Sequence, residues 1–421
     1  MARSATKSLR SLVLTCPDAL SETASMGLDA NLRSSSPVTS EAMTVVPSPL
    51  DPYDGILLVS FGGPEGPDDV LPFMENVTRG RGIPRERLLE VSAHYQHFGG
   101  VSPINEQNRA LLAAMRETFA RHGAAVPIAW GNRNWDPTIP EALRELRSSG
   151  CRRVLALVTS AFSSASGCRQ YREDVARSVE ALAAEPEGSP TVDKLRVFYN
   201  HPGFVEPMVD NTVAAVAQLD VGDHTADDVE LAFTAHSIPM SMADTSDYVV
   251  QLREACRLIA EGASARIGRP LPWDLVFQSR SGAPGQPWLE PDISEHLRAR
   301  QIAGISRVAV VPVGFISDHM EVVWDLDTQA RETAEEIGLA MSRAATVGVD
   351  SRFVDMIFDL TVERAASVRG ENPIRAALGF RGPNHDVCPL DCCPMPARPM
   401  PAQPVGASPG PVGRPVAEAR L

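Results

Sequence analysis

The sequence has no stretch of apolar residues long enough to cross a bilayer, and its longest apolar run, residues 307–316, has the length of a buried strand. The chain also lacks an excess of basic residues, because 39 Lys and Arg stand against 53 Asp and Glu, for a net charge of −14. This balance argues against a general nucleic-acid partner, since phosphate binding requires a basic face. An anionic ligand must therefore be met by a local basic cluster.

A disulfide framework is also missing. The seven cysteines are scattered and odd in number, so they cannot all pair. The apolar stretch at residues 8–16 is too short for a secretion signal, and we expect a cytoplasmic protein.

Residues 1–52 are rich in Ser, Ala and Thr with little apolar periodicity, which predicts a disordered extension or a segment upstream of a true start near Met43.

From Asp54 onward, buried-strand patterns alternate with amphipathic helical stretches, which predicts βαβ units and parallel sheets. The predicted strands lie within residues 54–63, 126–133, 153–160, 230–237, 274–281 and 307–315, and the helical stretches include residues 105–124 and 245–267. The sequence thus predicts an α/β protein with domains at 53–205 and 206–380. A Cys- and Pro-rich tail follows at 381–421.

In such sheets ligands bind beyond the carboxyl ends of strands. His236 lies at one such end, and residues 317–327 (SDHMEVVWDLD) follow another strand. Within this segment, Glu321 and Asp325 are four residues apart and would share a helix face with His319 nearby. An imidazole with carboxylates suits a divalent metal such as iron(II).

Structural alternatives exist for these features. His236 would then be an ordinary loop residue, and Ser317 would cap a helix whose first-turn acids complement its dipole. That alternative leaves His319, Glu321 and Asp325 unexplained. The arginine-rich segment 78–87 (TRGRGIPRER) suits carboxylate binding but would equally suit a solvated loop.

Five segments resemble the ferrochelatase family, most closely its actinobacterial members. They are LLVSFGGPEGPDDVLPFMENVTRGRG (57–82), HFGGVSPIN (97–105), FTAHSIP (233–239), FQSRSG (277–282) and PVGFISDHMEVVWDLD (312–327). The resemblance extends over residues 54–393 with the segments in order. It implies two Rossmann-like domains with a porphyrin cleft between them, and insertion of Fe²⁺ into a porphyrin.

The resemblance also implies roles for single residues. His236 and Glu321 match the catalytic pair that contacts the iron substrate, and His319 and Asp325 match a π-helical stretch proposed to pass iron or protons. The chemistry agrees, because metallation removes two pyrrole protons and His236 can accept a proton near neutral pH. The expected porphyrin contacts are Phe61, Arg87, Ser102, Arg133, Gln278 and Trp288. Positions that depart from the family pattern are Asn134, Trp135, Trp324 and Asp325.

Three tail cysteines, Cys388, Cys392 and Cys393, are clustered and need a fourth ligand. The resemblance supplies Cys168, in SSASGCRQYRED (163–174), and implies a [2Fe-2S] cluster. Zinc would accept the same ligands. The other cysteines are expected to be packing residues (Cys151, Cys256) or to lie in the extension (Cys16).

We expect coproporphyrin III to be the substrate, with protoporphyrin IX as the alternative. Two other classes are a haem- or porphyrin-binding carrier with a redox-sensing cluster and a cobalt or nickel chelatase. The presence of both His236 and Glu321 argues against a carrier, and only nine histidines without a His-rich tract argue against the second class. The expected partners are porphyrin and Fe²⁺, and we expect a monomer that contacts neighbouring haem-pathway enzymes transiently.

Overall fold

The computed structural model describes residues 48–80, 82–219, 229–281 and 285–395. Within these ranges the chain forms two four-stranded sheets whose strands all pair in parallel, with helices between successive strands. The predicted α/β class with two Rossmann-like halves is therefore confirmed. In the described part of the chain, no helix is both long enough and apolar enough to span a membrane.

The first sheet has the strand order β2-β1-β3-β4. Its strands are β1 (Gly55–Ser60), β2 (Ile128–Asn132), β3 (Arg153–Val158) and β4 (Thr191–Lys194). The accompanying helices are α1 (Val70–Val77), α2 (Arg85–His97), α3 (Ile104–Arg121), α4 (Ile139–Ser148) and α5 (Gln170–Ala183), with a π-helical turn at Ala165–Arg169. Every residue of β1 is buried, as expected for a parallel strand covered on both faces.

The second sheet repeats this arrangement in the order β6-β5-β7-β8. Its strands are β5 (Val229–His236), β6 (Trp273–Gln278), β7 (Arg307–Val311) and β8 (Ala340–Arg343). The helices are α6 (Pro202–Leu219), α7 (Met240–Ala243), α8 (Tyr248–Ile267), α9 (Ile293–Ile302), α10 (Met320–Trp324), α11 (Arg331–Glu336) and α12 (Ser351–Val368), with a second π-helical turn at Asp325–Ala330.

All six strands predicted from apolar runs are present, but β4 and β8 were missed. Both are four-residue edge strands of mixed polarity, TVDK and AMSR, and most of their side chains are partly exposed. Edge strands need no continuous apolar run, so the pattern search had no signal there. The run at 307–315 gives a strand that ends at Val311, because Pro312 has no N–H for the ladder.

The folded chain begins earlier than the predicted boundary at residue 52. Leu50 is fully buried in the main hydrophobic core, and the carbonyls of Pro49 and Asp51 accept hydrogen bonds from Arg369. A single leucine at the C-terminal end of a low-complexity stretch gave no periodic signal. The rest of the predicted extension, including Cys16 and Met43, lies outside the described residues.

A single hydrophobic cluster spans both sheets and includes Leu58 of β1 and Phe233 of β5. The predicted domain limit near residue 205 falls within α6, which leads from one sheet to the next. Separate domain limits therefore stay a prediction. The register of the second sheet sets His236 opposite Gln278, so both side chains reach the same carboxyl edge.

Candidate active site

His236 is the last residue of β5, and its surroundings fix its ring. The ring Nδ1 lies 2.5 Å from the carbonyl oxygen of Ser237, and the hydroxyl of Tyr248 donates a 3.0 Å hydrogen bond to the carbonyl of His236. Because a carbonyl can only accept, Nδ1 carries a proton, which leaves Nε2 facing Glu321. His236 Nε2 lies 3.5 Å from Glu321 Oε2.

The two groups shift each other's pKa in opposite directions. Burial alone would lower the pKa of His236, but the charge and hydrogen bond of Glu321 raise it to about 9. Burial would raise the pKa of Glu321, yet the neighbouring imidazolium lowers it to about 2. The pair is therefore an imidazolium and a carboxylate at neutral pH.

Glu321 lies in the first turn of α10, whose start differs from the predicted cap. His319, rather than Ser317, is the N-cap, and its Nδ1 accepts a 3.2 Å hydrogen bond from the Glu321 backbone N–H. Just before this cap, the Asp318 backbone N–H donates a 2.8 Å hydrogen bond to Gln107 Oε1 of α3. Burial lowers the pKa of His319, which keeps its ring neutral.

Asp325 begins the second π-helical turn, as the resemblance implied. The Ser279 hydroxyl donates a hydrogen bond to Asp325 Oδ2, and Gln278 Nε2 lies 2.9 Å from the Glu321 carbonyl oxygen. Burial and the charge of Glu321 raise the pKa of Asp325 to about 7, although the Ser279 hydrogen bond opposes the rise. Ser279 adopts a φ of 61°, a strained conformation for a side chain and one that is enriched at functional sites.

The remaining acids of this segment have a structural role. Arg343 at the end of β8 bonds Asp327 at 2.6 Å and Asp318 at 3.2 Å. These ion pairs brace both ends of the segment that presents Glu321. Asp318 and Asp327 therefore serve as ion-pair partners of Arg343.

Two aromatic contacts lie close in sequence to the site. Phe61 follows β1 and lies against Phe73, with ring centroids 6.2 Å apart. His94 of α2 stacks on Trp324 of α10 at 4.0 Å and an interplanar angle of 10°. The contact joins helices from the two halves of the chain beside the His236–Glu321 pair.

Three tyrosines lie within electrostatic range of Glu321, and sequence reasoning missed all of them. They are Tyr95, Tyr171 and Tyr248, and in each case burial and the Glu321 charge raise the pKa of the phenol. All three hydroxyls therefore stay protonated at neutral pH. No short motif marks these positions, so only the fold could reveal them.

The predicted porphyrin contacts fall into two groups. Phe61, Arg133, Gln278 and Trp288 lie on loops or strand ends at the carboxyl edges of the sheets. Among the described residues, the buried Gln278 Oε1 and Trp288 Nε1 have no hydrogen-bond partner, which leaves an acceptor and a donor for a ligand.

Arg87 and Ser102 are differently placed. Arg87 is exposed on α2 and pairs with Glu90 at 2.6 Å. Ser102 is buried, and it packs against Gly63 so closely that a Cβ there would lie 2.6 Å from the serine Cβ. Their roles as porphyrin contacts stay predictions.

A family model named Ferrochelatase matches residues 53–365. This chain belongs to the ferrochelatase family. It is 55% identical over 359 residues to the coproporphyrin III ferrochelatase of Streptomyces coelicolor, covering 82% of this chain and 95% of the relative. It is also 51% identical over 346 residues to a ferrochelatase of Rhodopirellula baltica, covering 82% and 94%.

Among solved structures, the sirohydrochlorin chelatase SirB of Bacillus subtilis matches with a TM-score of 0.44 and 12% identity. The match covers 75% of this chain and 97% of that one. The family assignment makes the chain a lyase that inserts a metal into a porphyrin, as the resemblance implied.

The fold of this ferrochelatase brings the tail cysteines close to Cys168, the fourth ligand that the resemblance supplied. Cys168 lies buried in the first π-helical turn and shares a hydrogen bond with Cys388. Cys392 Sγ lies 3.7 Å from Cys393 Sγ. The hydrogen bond from Cys168, together with the positive charge of Lys194, lowers the pKa of Cys388 to about 7.

One further donor at the cysteine site was missed. His385 Nε2 lies 3.8 Å from Cys392 Sγ, and ligand atoms of His385, Cys388 and Cys392 all lie within 4.8 Å of one another. The spacing HDVC gives the histidine no recognised metal motif. Cys151 and Cys256 are buried elsewhere in the apolar core, as predicted for packing residues.

The tail reaches the cysteine site by crossing the body of the protein. Arg196 donates a 3.0 Å hydrogen bond to the carbonyl of Ala376, and Asn200 donates one of 2.8 Å to the carbonyl of Gly382. Arg257 lies 4.8 Å from the ring centroid of Phe380. These contacts between protein groups hold the start of the tail, and the segment that leads into it, against the body of the protein.

Proposed function

We propose that this ferrochelatase inserts Fe²⁺ into coproporphyrin III, forming coprohaem for haem biosynthesis. The observation that carries the proposal is the His236–Glu321 pair, 3.5 Å apart at the carboxyl edge of the second sheet. Relatives that are 55% identical over most of the chain bear the name coproporphyrin III ferrochelatase, which supports this porphyrin.

The reaction exchanges one Fe²⁺ for the two N–H protons of the free-base porphyrin, and the site must remove both. In the resting pair His236 already holds a proton, because the Glu321 carboxylate stabilises it. When Fe²⁺ binds Glu321, the carboxylate charge is shared with the metal and the pKa of His236 falls. The imidazole then becomes neutral and accepts the two pyrrole protons one after the other through Nε2, passing on the first before it accepts the second.

A proton leaving His236 needs an acceptor nearby. Asp325 suits this role because its pKa is about 7, so it both accepts and releases a proton at neutral pH. Its oxygen is held by Ser279, and the Gln278 amide lies beside both Asp325 and the Glu321 carbonyl. His319, neutral and next to Glu321, is proposed as a stop on the path for incoming iron.

Porphyrin would lie between the aromatic groups of the two halves. We assign Phe61 and Trp288 to its faces, and Gln278 and Arg133 to its polar groups. Steady-state kinetics under anaerobic conditions with each porphyrin tests the substrate assignment. We expect a much larger kcat/KM for coproporphyrin III than for protoporphyrin IX, and equal or reversed values would remove this assignment while leaving the chelatase function.

We also propose that Cys168, Cys388, Cys392 and Cys393 hold a [2Fe-2S] cluster. The donor set fits, because four thiols converge from two chain segments and soft thiolates suit iron–sulfur clusters. When bound, the cluster would supply one-electron redox chemistry. The residues themselves hold the tail end against the first π-helical turn.

Metal and sulfide analysis of the anaerobically purified protein tests the cluster. We expect a brown protein with about two iron and two sulfide per chain. One equivalent of zinc without sulfide would replace the cluster with the zinc alternative, which the same ligands accept. The cytoplasmic location stays a prediction.

A further inference from the structure

The helical segment that carries Cys168 also holds an arginine of the porphyrin cleft. The first π-helical turn runs directly into α5, so residues 165–183 form one continuous helical segment. Cys168 lies near its start. Three residues near the start of α5, namely Gln170, Tyr171 and Asp174, all contact Arg133 of the β2–α4 loop.

Arg133 is held on three sides. Its Nε bonds a carboxylate oxygen of Asp174, its Nη2 donates a 3.3 Å hydrogen bond to Gln170 Oε1, and its guanidinium lies 4.6 Å from the Tyr171 ring centroid. The side chains of Arg133 and Asp174 are 14% and 17% exposed. An arginine fixed in this way loses little further entropy when it meets a ligand carboxylate.

The same helical segment also contacts the cysteine-bearing tail. Gln170 Nε2 lies 3.6 Å from Met395 Sδ, so one amide contacts both the tail and Arg133. The preceding residue, Arg169, donates 3.3 Å hydrogen bonds to the carbonyls of Leu390 and Cys392. The tail end therefore rests on two adjacent residues, one of which is a partner of Arg133.

We infer that Gln170 is a positioning residue through which the cysteine-bearing tail holds Arg133 in the porphyrin cleft. The inference rests on the proposed function, because it takes Arg133 as a contact for a porphyrin carboxylate. A tail that leaves the helix releases the Gln170 amide from Met395, and the amide then turns away from Arg133. Arg133 is not a base, so the expected effect is weaker porphyrin binding with little change in the chemical step.

Two substitutions at position 170 separate the contacts. Gln170→Ala removes the acceptor for Arg133 and the donor to Met395, and we expect KM for coproporphyrin III to rise about fivefold with kcat changed less than twofold. Gln170→Glu replaces the amide with a carboxylate that holds Arg133 by charge without the Met395 contact, so its KM should stay near that of the wild type even when Cys388→Ser is added. Glu180→Gln, at the exposed far end of α5, is the matched control and should change neither constant.

The link to the tail is tested by a double-mutant cycle with Cys388→Ser. We expect Cys388→Ser to raise KM in the same direction as Gln170→Ala, and the double variant to rise no further than the larger single effect. Independent, additive effects would overturn the inference. So would an unchanged KM in Gln170→Ala, or a fall in kcat alone.

The failure of the underlying proposals would look different. If the wild type does not metallate coproporphyrin III, the substrate assignment fails before any variant is compared. If the wild type contains neither iron nor sulfide, the cluster proposal fails while the Gln170→Ala and Gln170→Glu comparison still tests the positioning role. Porphyrin binding measured by fluorescence quenching gives a second readout that does not depend on turnover.

Discussion

The catalytic pair and the cysteine site are assembled in different ways. His236 ends strand β5 of the second sheet, and Glu321 lies in the first turn of helix α10. The strand register and the ion pairs of Arg343 bring the two side chains 3.5 Å apart. The cysteine site joins Cys168 to Cys388, 220 positions later, and the segment before Cys388 is held by contacts such as those of Arg196 with the Ala376 carbonyl and Asn200 with the Gly382 carbonyl. The first site is built around the carboxyl edge of the second sheet, whereas the second depends on docking of a surface segment.

The largest effect is expected at the His236–Glu321 pair. Glu321→Gln keeps the size of the side chain but removes the charge that binds iron and stabilises the imidazolium. We expect kcat to fall by a factor of about 10² to 10⁴, the range for loss of a general acid–base group. Glu332→Gln on the exposed face of α11 is the control. Glu321→Gln should keep the full iron and sulfide content of the cluster. A kcat near the wild-type value in Glu321→Gln would contradict the role of Glu321.

Substitutions at the cysteine site should change the colour and the bound sulfide of the protein without changing the catalytic pair. Cys168→Ser is expected to abolish the brown colour and the bound sulfide, because the buried thiol supplies one of four ligands. Cys256→Ser, at a buried cysteine of α8 that is not among the proposed ligands, should keep the colour. Full colour in Cys168→Ser would show that the ligand set is wrong.

Docking of the tail gives a smaller and separable effect. Arg196 and Glu363 form a buried pair, with Nε–Oε1 at 2.6 Å and Nη2–Oε2 at 3.0 Å, and Arg196 also holds the Ala376 carbonyl. Arg196→Ala leaves Glu363 buried and unpaired. We expect the free energy of unfolding to fall by about 3–5 kcal/mol, measured by urea denaturation.

The double variant Arg196→Leu with Glu363→Leu serves as its control. Replacing both charges by apolar groups removes the unpaired carboxylate, so most of the lost stability should return. Both the single and the double variant should be cleaved by protease near residue 376 faster than the wild type, because neither retains the hydrogen bond from Arg196 to the Ala376 carbonyl. Equal stability of the single variant and the wild type would show that the pair does not hold the tail.

The smallest effect is the pH dependence of stability at the catalytic pair. The pKa of His236 is about 9 in the folded protein, above the ordinary value of about 6.5 in the unfolded chain. The folded state therefore binds more protons between these values, and this stabilisation is fully present below pH 6.5 and lost as pH rises through 9. His236→Gln should flatten this part of the stability curve, and an unchanged slope would contradict the charged pair.

The sequence predicted much of the fold because buried parallel strands leave continuous apolar runs. It placed His236 at a strand end, and the resemblance pointed to Glu321 opposite. The edge strands β4 and β8 left no such run. The pattern offered Ser317 as the cap, whereas His319 caps the helix. The hydrogen bond from the Asp318 N–H to Gln107, 211 residues earlier, also leaves no local signal in the sequence.

Side chains that act through packing were also beyond sequence reasoning. Tyr95, Tyr171 and Tyr248 reach the vicinity of Glu321 from three separate helices, and none lies in a recognisable motif. His385 joins the cysteine site only because the tail folds back. Cys168 was predicted from the resemblance, whereas its hydrogen bond to Cys388 follows from the docked tail.

The central claim is that His236 accepts a pyrrole proton during insertion of Fe²⁺ into coproporphyrin III. A single-turnover experiment tests it most directly, with the porphyrin bound beforehand and Fe²⁺ added without oxygen. In the wild type the free-base absorbance bands should give way to those of the iron porphyrin. In His236→Ala the porphyrin should bind with a similar Kd but remain metal-free over the same time, and metallation at the wild-type rate would contradict the account.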